Sequence, residues 1–288
     1  MFTGIYTALV TPFDQKGQVD YGRLRELVAW QVESGVDGLV PVGTTGESPT
    51  LEYDEHHKVI EVTAEAAAGK VRIVAGTGGN STAEALMLTR QLKDAGVHGT
   101  LQVVPYYNKP SQEGLYRHFS AIAEVGMPVV LYNVPGRTSR ELALPTIERL
   151  AKHENIVAIK EAGGSVERVS AIVDACDLTV LSGDDMLTVP MMSVGAQGVI
   201  SVASNLAPQQ VGDMVRAASR GDFVAAGCLH ARLYPLFRDL FIDTNPVPVK
   251  YALAMMGRIE EAYRLPLCEP SPEIRARIET TLRALQLI

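Results

Sequence analysis

Three cysteines in 288 residues, Cys176, Cys228 and Cys268, are too few and too scattered to build a disulfide framework. They form no CxxC pair and have no histidine at ligand spacing, so no metal site is expected and they read as buried or incidental thiols. Positive charge is also scarce. The 26 Lys and Arg against 33 Asp and Glu leave a formal net charge of -7, with no basic footprint for nucleic acid or an anionic membrane. No apolar run approaches the roughly 18 residues of a membrane span. The N-terminus Met1-Phe2-Thr3-Gly4 has neither the basic nor the apolar stretch of a signal peptide, so a cytoplasmic location is expected. What remains is a 47% hydrophobic chain, long enough for one large core and suited to small-molecule chemistry.

Short Val- and Ile-rich runs alternate with stretches of helical periodicity. Strands are expected over 5–10, 38–43, 72–76, 100–105, 128–132, 156–160, 179–183 and 198–202, with helices over 21–34, 54–68, 82–95 and 209–219 among those between and after them. Strand starts fall about 20 to 35 residues apart, the repeat of parallel strands joined by crossover helices. Eight such units point to the α/β class and a closed (β/α)8 barrel. A doubly wound sheet would want a phosphate-binding glycine turn after its first strand, which Val10-Thr11-Pro12-Phe13 does not supply. Beyond 222 the strands stop, and helices are expected over 223–241, 247–256 and 271–287. The expected organisation is a barrel over 1–222 followed by a small all-helical C-terminal domain over 223–288.

The run Ile156-Val157-Ala158-Ile159 ends on Lys160. A lysine delivered by a buried strand is either an ion-pair partner or a nucleophile, because lysine is almost never fully buried otherwise. Barrels of this kind carry their chemistry at the C-terminal ends of the strands. There the sequence places Gly43-Thr44-Thr45-Gly46-Glu47-Ser48, Pro105-Tyr106-Tyr107-Asn108, Tyr132-Asn133-Val134-Pro135-Gly136-Arg137-Thr138 and Lys160. The small-residue run is either a tight turn or a nest of backbone N–H groups for a carboxylate. Tyr132 and Tyr107 are rim aromatics or proton carriers, and Arg137 is a solvated charge or a bidentate carboxylate clamp. To attack a ketone the lysine must be neutral, which takes about 4 kcal/mol of destabilisation of its ammonium, within reach of apolar surroundings such as Ile159 and the barrel interior.

Taken together, Gly43-Thr44-Thr45-Gly46-Glu47, Pro105 to Tyr116, Tyr132 to Thr138, Ile159-Lys160-Glu161-Ala162 and Asn245-Pro246-Val247-Pro248-Val249-Lys250 make the chain resemble the dihydrodipicolinate synthases along nearly its whole length. These belong to the N-acetylneuraminate lyase-like Schiff-base aldolases. The resemblance implies condensation of pyruvate with L-aspartate 4-semialdehyde to 4-hydroxy-tetrahydrodipicolinate, in diaminopimelate and lysine biosynthesis, without a metal or organic cofactor. It implies that Lys160 forms the Schiff base and that Tyr132 moves protons, linked to Thr44 and to Tyr107. The last would reach into a neighbouring subunit of a homotetramer built as a dimer of dimers. Thr45 would bind the pyruvate carboxylate and Arg137 that of the semialdehyde, with Gly183 and Ile200 lining the pocket. Gly136 is a small variation not expected to alter the chemistry. Ser48, His56, Asn80, Glu84 and Tyr106 match a site where lysine binds as a feedback inhibitor, although on its own His56 reads as a solvated helix histidine and Pro49 and Tyr53 depart from sensitive members. Sugar-acid lyases on the same barrel are the alternative, since they too use the lysine and the tyrosine.

Overall fold

A computed structural model describes residues 2–288. Eight parallel strands follow one another around a closed barrel, β1 (Gly4–Ala8), β2 (Gly38–Val40), β3 (Arg72–Gly76), β4 (Gly99–Val103), β5 (Val129–Asn133), β6 (Ile156–Glu161), β7 (Thr179–Ser182) and β8 (Gly198–Ser201). The ring closes where β1 pairs with β8, Ile5 opposite Val199 and Tyr6 opposite Ile200. The helices α1 (Tyr21–Glu33), α2 (Tyr53–Ala67), α3 (Thr82–Gln91), α4 (Gln112–Ala123), α5 (Pro135–Thr138), α6 (Leu144–Leu150), α7 (Val166–Ala175), α8 (Thr188–Ser193) and α9 (Pro208–Ser219) occupy the crossovers and the turn after β8. Side chains of Asp20, Ser81, Ser111 and Ser165 each accept a backbone N–H at a helix start, which fixes where α1, α3, α4 and α7 begin.

Alternation along the strands divides the core in two. Tyr6, Val40, Val74, Leu101, Val130, Tyr132, Ala158, Leu181 and Ile200 fill the barrel interior, while Ile5, Leu39, Ile73, Val129, Leu131, Ile159, Val180 and Val199 face the helices. Ile159 therefore lies on the wrong side of β6 to surround the Lys160 amine. The apolar neighbours on the amine's face are the interior residues, Ala158 and Leu181 among them.

Strand β2 is three residues long where six were expected. Pro41 brings no N–H to the ladder, and Val42 turns to a φ of 51°. Past the barrel come α10 (Phe223–Asp239), α11 (Val247–Met255) and α12 (Pro272–Ala284), each close to its expected span. Asp239 ties α10 to α12 by accepting from Arg277 Nε at 3.0 Å and from the Thr281 hydroxyl. None of the cysteines is buried, since Cys176 is half-buried and Cys228 and Cys268 are exposed. Among the described residues no helix is long and apolar enough to cross a membrane.

Candidate active site

Lys160 stands opposite Tyr132 in the register of β5 and β6, so the pairing of the two strands puts the amine and the phenol side by side. The Lys160 ammonium lies 4.2 Å from the centre of the Tyr132 ring, and the residue is 6% exposed. No carboxylate pairs with it among the described residues. The neighbouring Glu161 belongs to the other face of β6, where Asn133 Nδ2, the Gly163 N–H and Arg168 Nε at 2.9 Å hold its carboxylate. Of the two readings open to a buried lysine, the ion-pair partner is thus removed. Gly183 leaves the room that the lysine chain uses, because a Cβ there would lie 3.0 Å from Lys160 Cε and 2.6 Å from Ala162 Cβ.

A cavity of about 190 Å³ at the C-terminal mouth of the barrel is lined by Lys160, Tyr132, Thr44, Thr45, Arg137 and Gly183 among others. An adjoining cavity of similar size shares Thr44, Tyr132, Val134 and Arg137 with it. Thr44, Thr45, Tyr132, Arg137 and Gly183, from the C-terminal ends of β2, β5 and β7, therefore meet around one amine. The turn that carries Thr44 and Thr45 is held by Gly46 N–H to Gly43 O at 3.1 Å, Glu47 N–H to Thr44 O at 3.1 Å and the Thr11 hydroxyl to Gly46 O at 2.7 Å. It also carries backbone strain, since Val42 and Glu47 both have left-handed φ values, 51° and 55°. A β-branched residue there is a genuine outlier, and such strain collects at functional loops. Gly76 admits the strained turn: a Cβ at 76 would sit 2.4 Å from Val42 O.

Arg137 is exposed at the rim, with one guanidinium nitrogen donating to Asn245 O at 3.2 Å. Asn245 Nδ2 donates to Thr45 Oγ1 at 3.0 Å, while its Oδ1 is buried without a partner. Ile200 packs in the barrel interior and is not among the residues lining the cavity. Tyr107 lies outside both cavities of the single chain, 90% exposed and with a φ of 72°.

A separate cavity of about 320 Å³ brings Ser48, His56, Glu84 and Tyr106 together with Tyr53 and Thr77. Asn80 is at its edge in sequence, next to the lining Gly79, with its carbonyl accepting from Asn108 Nδ2 at 2.8 Å. His56 is buried rather than solvated, and desolvation pushes its pKa down to about 4. Burial, and then the charge of Glu84, raise the Tyr106 phenol. Ser48, Pro49, Gly78 and Tyr106 form a wall common to this cavity and one of the two at the barrel mouth.

Asp184, Met186, Val202, Phe241 and Asn245 also line the cavity, and the sequence assigned none of them a role in the site. Asn245 stood in the matched segment from Asn245 to Lys250 without a role, and the only signal for Asp184 was its place after a strand-ending glycine. A paired group was missed as well. Lys250 is the sole charge in the apolar run from Val247 to Met256, the same signal that singled out Lys160.

A model described as the dihydrodipicolinate synthetase family matches residues 1–285. The 4-hydroxy-tetrahydrodipicolinate synthase of Aquifex aeolicus is 50% identical over all of this chain and 99% of its own. The structure of the chloride-inhibited dihydrodipicolinate synthase from Acinetobacter baumannii with pyruvate superposes with a TM-score of 0.98 at 43% identity, covering 100% of both chains. That of the enzyme from Cyanidioschyzon merolae with lysine bound does so at 0.97 and 41%, covering 100% of this chain and 99% of the other. This chain belongs to the dihydrodipicolinate synthetase family.

Proposed function

We propose that this chain is a lyase of lysine biosynthesis that condenses pyruvate with L-aspartate 4-semialdehyde through a Schiff base on Lys160. The observation that carries the reading is the unpaired, nearly buried Lys160 amine against the Tyr132 ring, in a cavity that also presents Thr44, Thr45 and Arg137. The amine adds to the pyruvate ketone carbon and water leaves, giving the imine. Loss of a methyl proton yields the enamine, whose carbon bonds to the aldehyde carbon of the second substrate. The amino group of that substrate then attacks the imine carbon, displaces Lys160 and closes the ring. One water is released overall. Tyr132 carries the protons to and from the carbinolamine, with Thr44 and a Tyr107 from a second subunit completing its relay. Thr45 and its loop amides take the pyruvate carboxylate, and Arg137 takes that of the semialdehyde. Gly183 completes the pocket wall, with Ile200 packed beneath it in the barrel interior.

Borohydride reduction in the presence of pyruvate tests the chemistry: intact-mass analysis is expected to show one pyruvyl adduct on the parent chain and none on Lys160→Ala. An adduct that survives the substitution would sink the proposal, and preferential cleavage of sugar acids over condensation would move the chain to the sugar-acid lyases. The same reading extends to assembly. The exposure of Tyr107 supports a dimer as the smallest complete unit and a dimer of dimers as the whole, with 1–222 as the catalytic barrel and 223–288 as a helical appendage. It also extends to regulation, with lysine held by Ser48, His56, Asn80, Glu84 and Tyr106 as a feedback inhibitor.

A further inference from the structure

The turn that carries Thr44 and Thr45 is anchored from far away in sequence. Glu47, at its end, pairs with Lys250 of α11, 203 residues on, and both side chains are fully buried. Lys250 Nζ also lies 4.1 Å from the centre of the Phe13 ring. Asn245, just before the same helix, reaches Thr45 Oγ1 and, through its carbonyl, Arg137. One short segment thus grips the turn at 45 and 47 and the rim at 137.

A buried pair of this kind is a poor source of stability. Removing two charges from water costs several kcal/mol each, and apolar pairs of similar volume commonly do as well or better. The details make the burial costly here. Glu47 Oε2 has no hydrogen-bond partner, and burial pushes the Lys250 ammonium down, against the pull of Glu47. Glu47 itself is held in the left-handed region at a φ of 55°, which costs a non-glycine residue about 1 kcal/mol or more unless the surroundings impose it. What the pair supplies is a fixed direction for a loop that would otherwise relax.

We infer that Glu47 and Lys250 are positioning residues for the carboxylate-binding turn, so that α11 completes the active site from outside the barrel. The inference rests on the Schiff-base reading of Lys160, and its consequence is specific. Loss of the pair releases Thr44 and Thr45 and weakens pyruvate capture, while leaving the amine in place.

The test uses Glu47→Met/Lys250→Met, which replaces the pair by an apolar one and is expected to fold, with Glu47→Gln as a second variant that keeps the shape and removes the charge. Half-saturation of borohydride trapping by pyruvate should rise about tenfold to a hundredfold, and the trapping rate at saturation should fall as well because Thr44 of the Tyr132 relay moves with the turn. Hydrogen exchange of the peptide amides over 43–50 should quicken about tenfold or more, with β5 and β6 unchanged. A double variant that folds, with half-saturation and exchange both at parental values, would overturn the inference. So would failure of both variants to fold, which would make the pair a purely structural element. If the parent chain forms no adduct, the Schiff-base reading falls instead, and exchange over 43–50 alone decides whether the pair holds the turn.

Discussion

Gly183→Ala is the sharpest single test of how the lysine is housed. The added methyl would meet Ala162 Cβ at 2.6 Å and Lys160 Cε at 3.0 Å, against an ordinary carbon–carbon contact of roughly 3.5 to 4.0 Å. Ala162 has no rotamer to change. The strain must therefore be taken up either by the β6–β7 ladder, where Lys160 faces Leu181 and Glu161 faces Ser182, or by the lysine chain itself. Overpacking of this size costs about 1 to 3 kcal/mol of stability. A shift of the amine approaching 1 Å costs about a hundredfold in rate. The expected result is a folded enzyme with kcat/KM for condensation lowered about thirtyfold to three-hundredfold and a thermal midpoint lowered by about 2 to 10 °C. Gly136→Ala is the control: it lies in the short helix α5 after β5, nothing stands within 4 Å of its added methyl, and activity should stay within about twofold. If Gly183→Ala keeps kcat/KM within about threefold of the parent, the amine is not held where the contact distances place it, and the argument from Gly183 is wrong.

Acid sensitivity should trace to two buried histidines. Burial lowers both His56 and His118 to about 4 in the folded chain, below the unfolded value near 6.5, so the unfolded state binds more protons between those limits and stability falls as pH drops through that window. Each should contribute a loss of about 2 kcal/mol between pH 7 and pH 5, measured by urea unfolding, and His118→Asn should flatten the slope; an unchanged slope would remove that histidine from the account. Millimolar lysine should slow condensation and Glu84→Ala should relieve the inhibition; a rate indifferent to lysine in the parent would dismiss the third cavity as a regulatory site. Mixing Lys160→Ala with Tyr107→Ala chains and allowing subunits to exchange should restore roughly a quarter of parental activity, since half the dimers are mixed and each then has one intact site. Activity that stays at the level of the separate variants would show that Tyr107 acts within its own chain.

The barrel was legible because its signals are local and repeated. Eight apolar runs at crossover spacing gave all eight strands, and errors were confined to ends where backbone geometry overrides composition. Val42 is the clearest case. Its residue type favours a strand, but Pro41 before it and the close approach of Gly76 turn it out of the ladder, which no periodicity reveals. Lys160 was found because a charge at the end of an apolar run is anomalous, and its apolar surroundings are the barrel interior as expected but not Ile159, which faces the helices. Which face a side chain takes depends on the phase of a two-residue repeat, and only strand pairing fixes that phase. Tyr132 opposite Lys160 is a fact of register of the same kind.

Asn245 and Lys250, to which the sequence assigned no role, share a physical property: their partners are more than a hundred positions away. Asn245 acts on Thr45 and Arg137, and Lys250 on Glu47. Neither contact leaves a mark on the local pattern beyond one charge among apolar neighbours. That mark is nevertheless the one that pointed to Lys160, and the two lysines show what separates the outcomes. A buried amine that meets a carboxylate becomes an anchor, as Lys250 does at Glu47. One that meets only an aromatic face and a cavity stays available for chemistry, as Lys160 does at Tyr132. Exchanging those environments should exchange the behaviour. A carboxylate introduced beside Lys160 by Ala162→Asp is expected to pair with the amine and to suppress pyruvate trapping at pH 7. Trapping that proceeds at the parental rate at pH 7 would mean that pairing is not what distinguishes the two lysines.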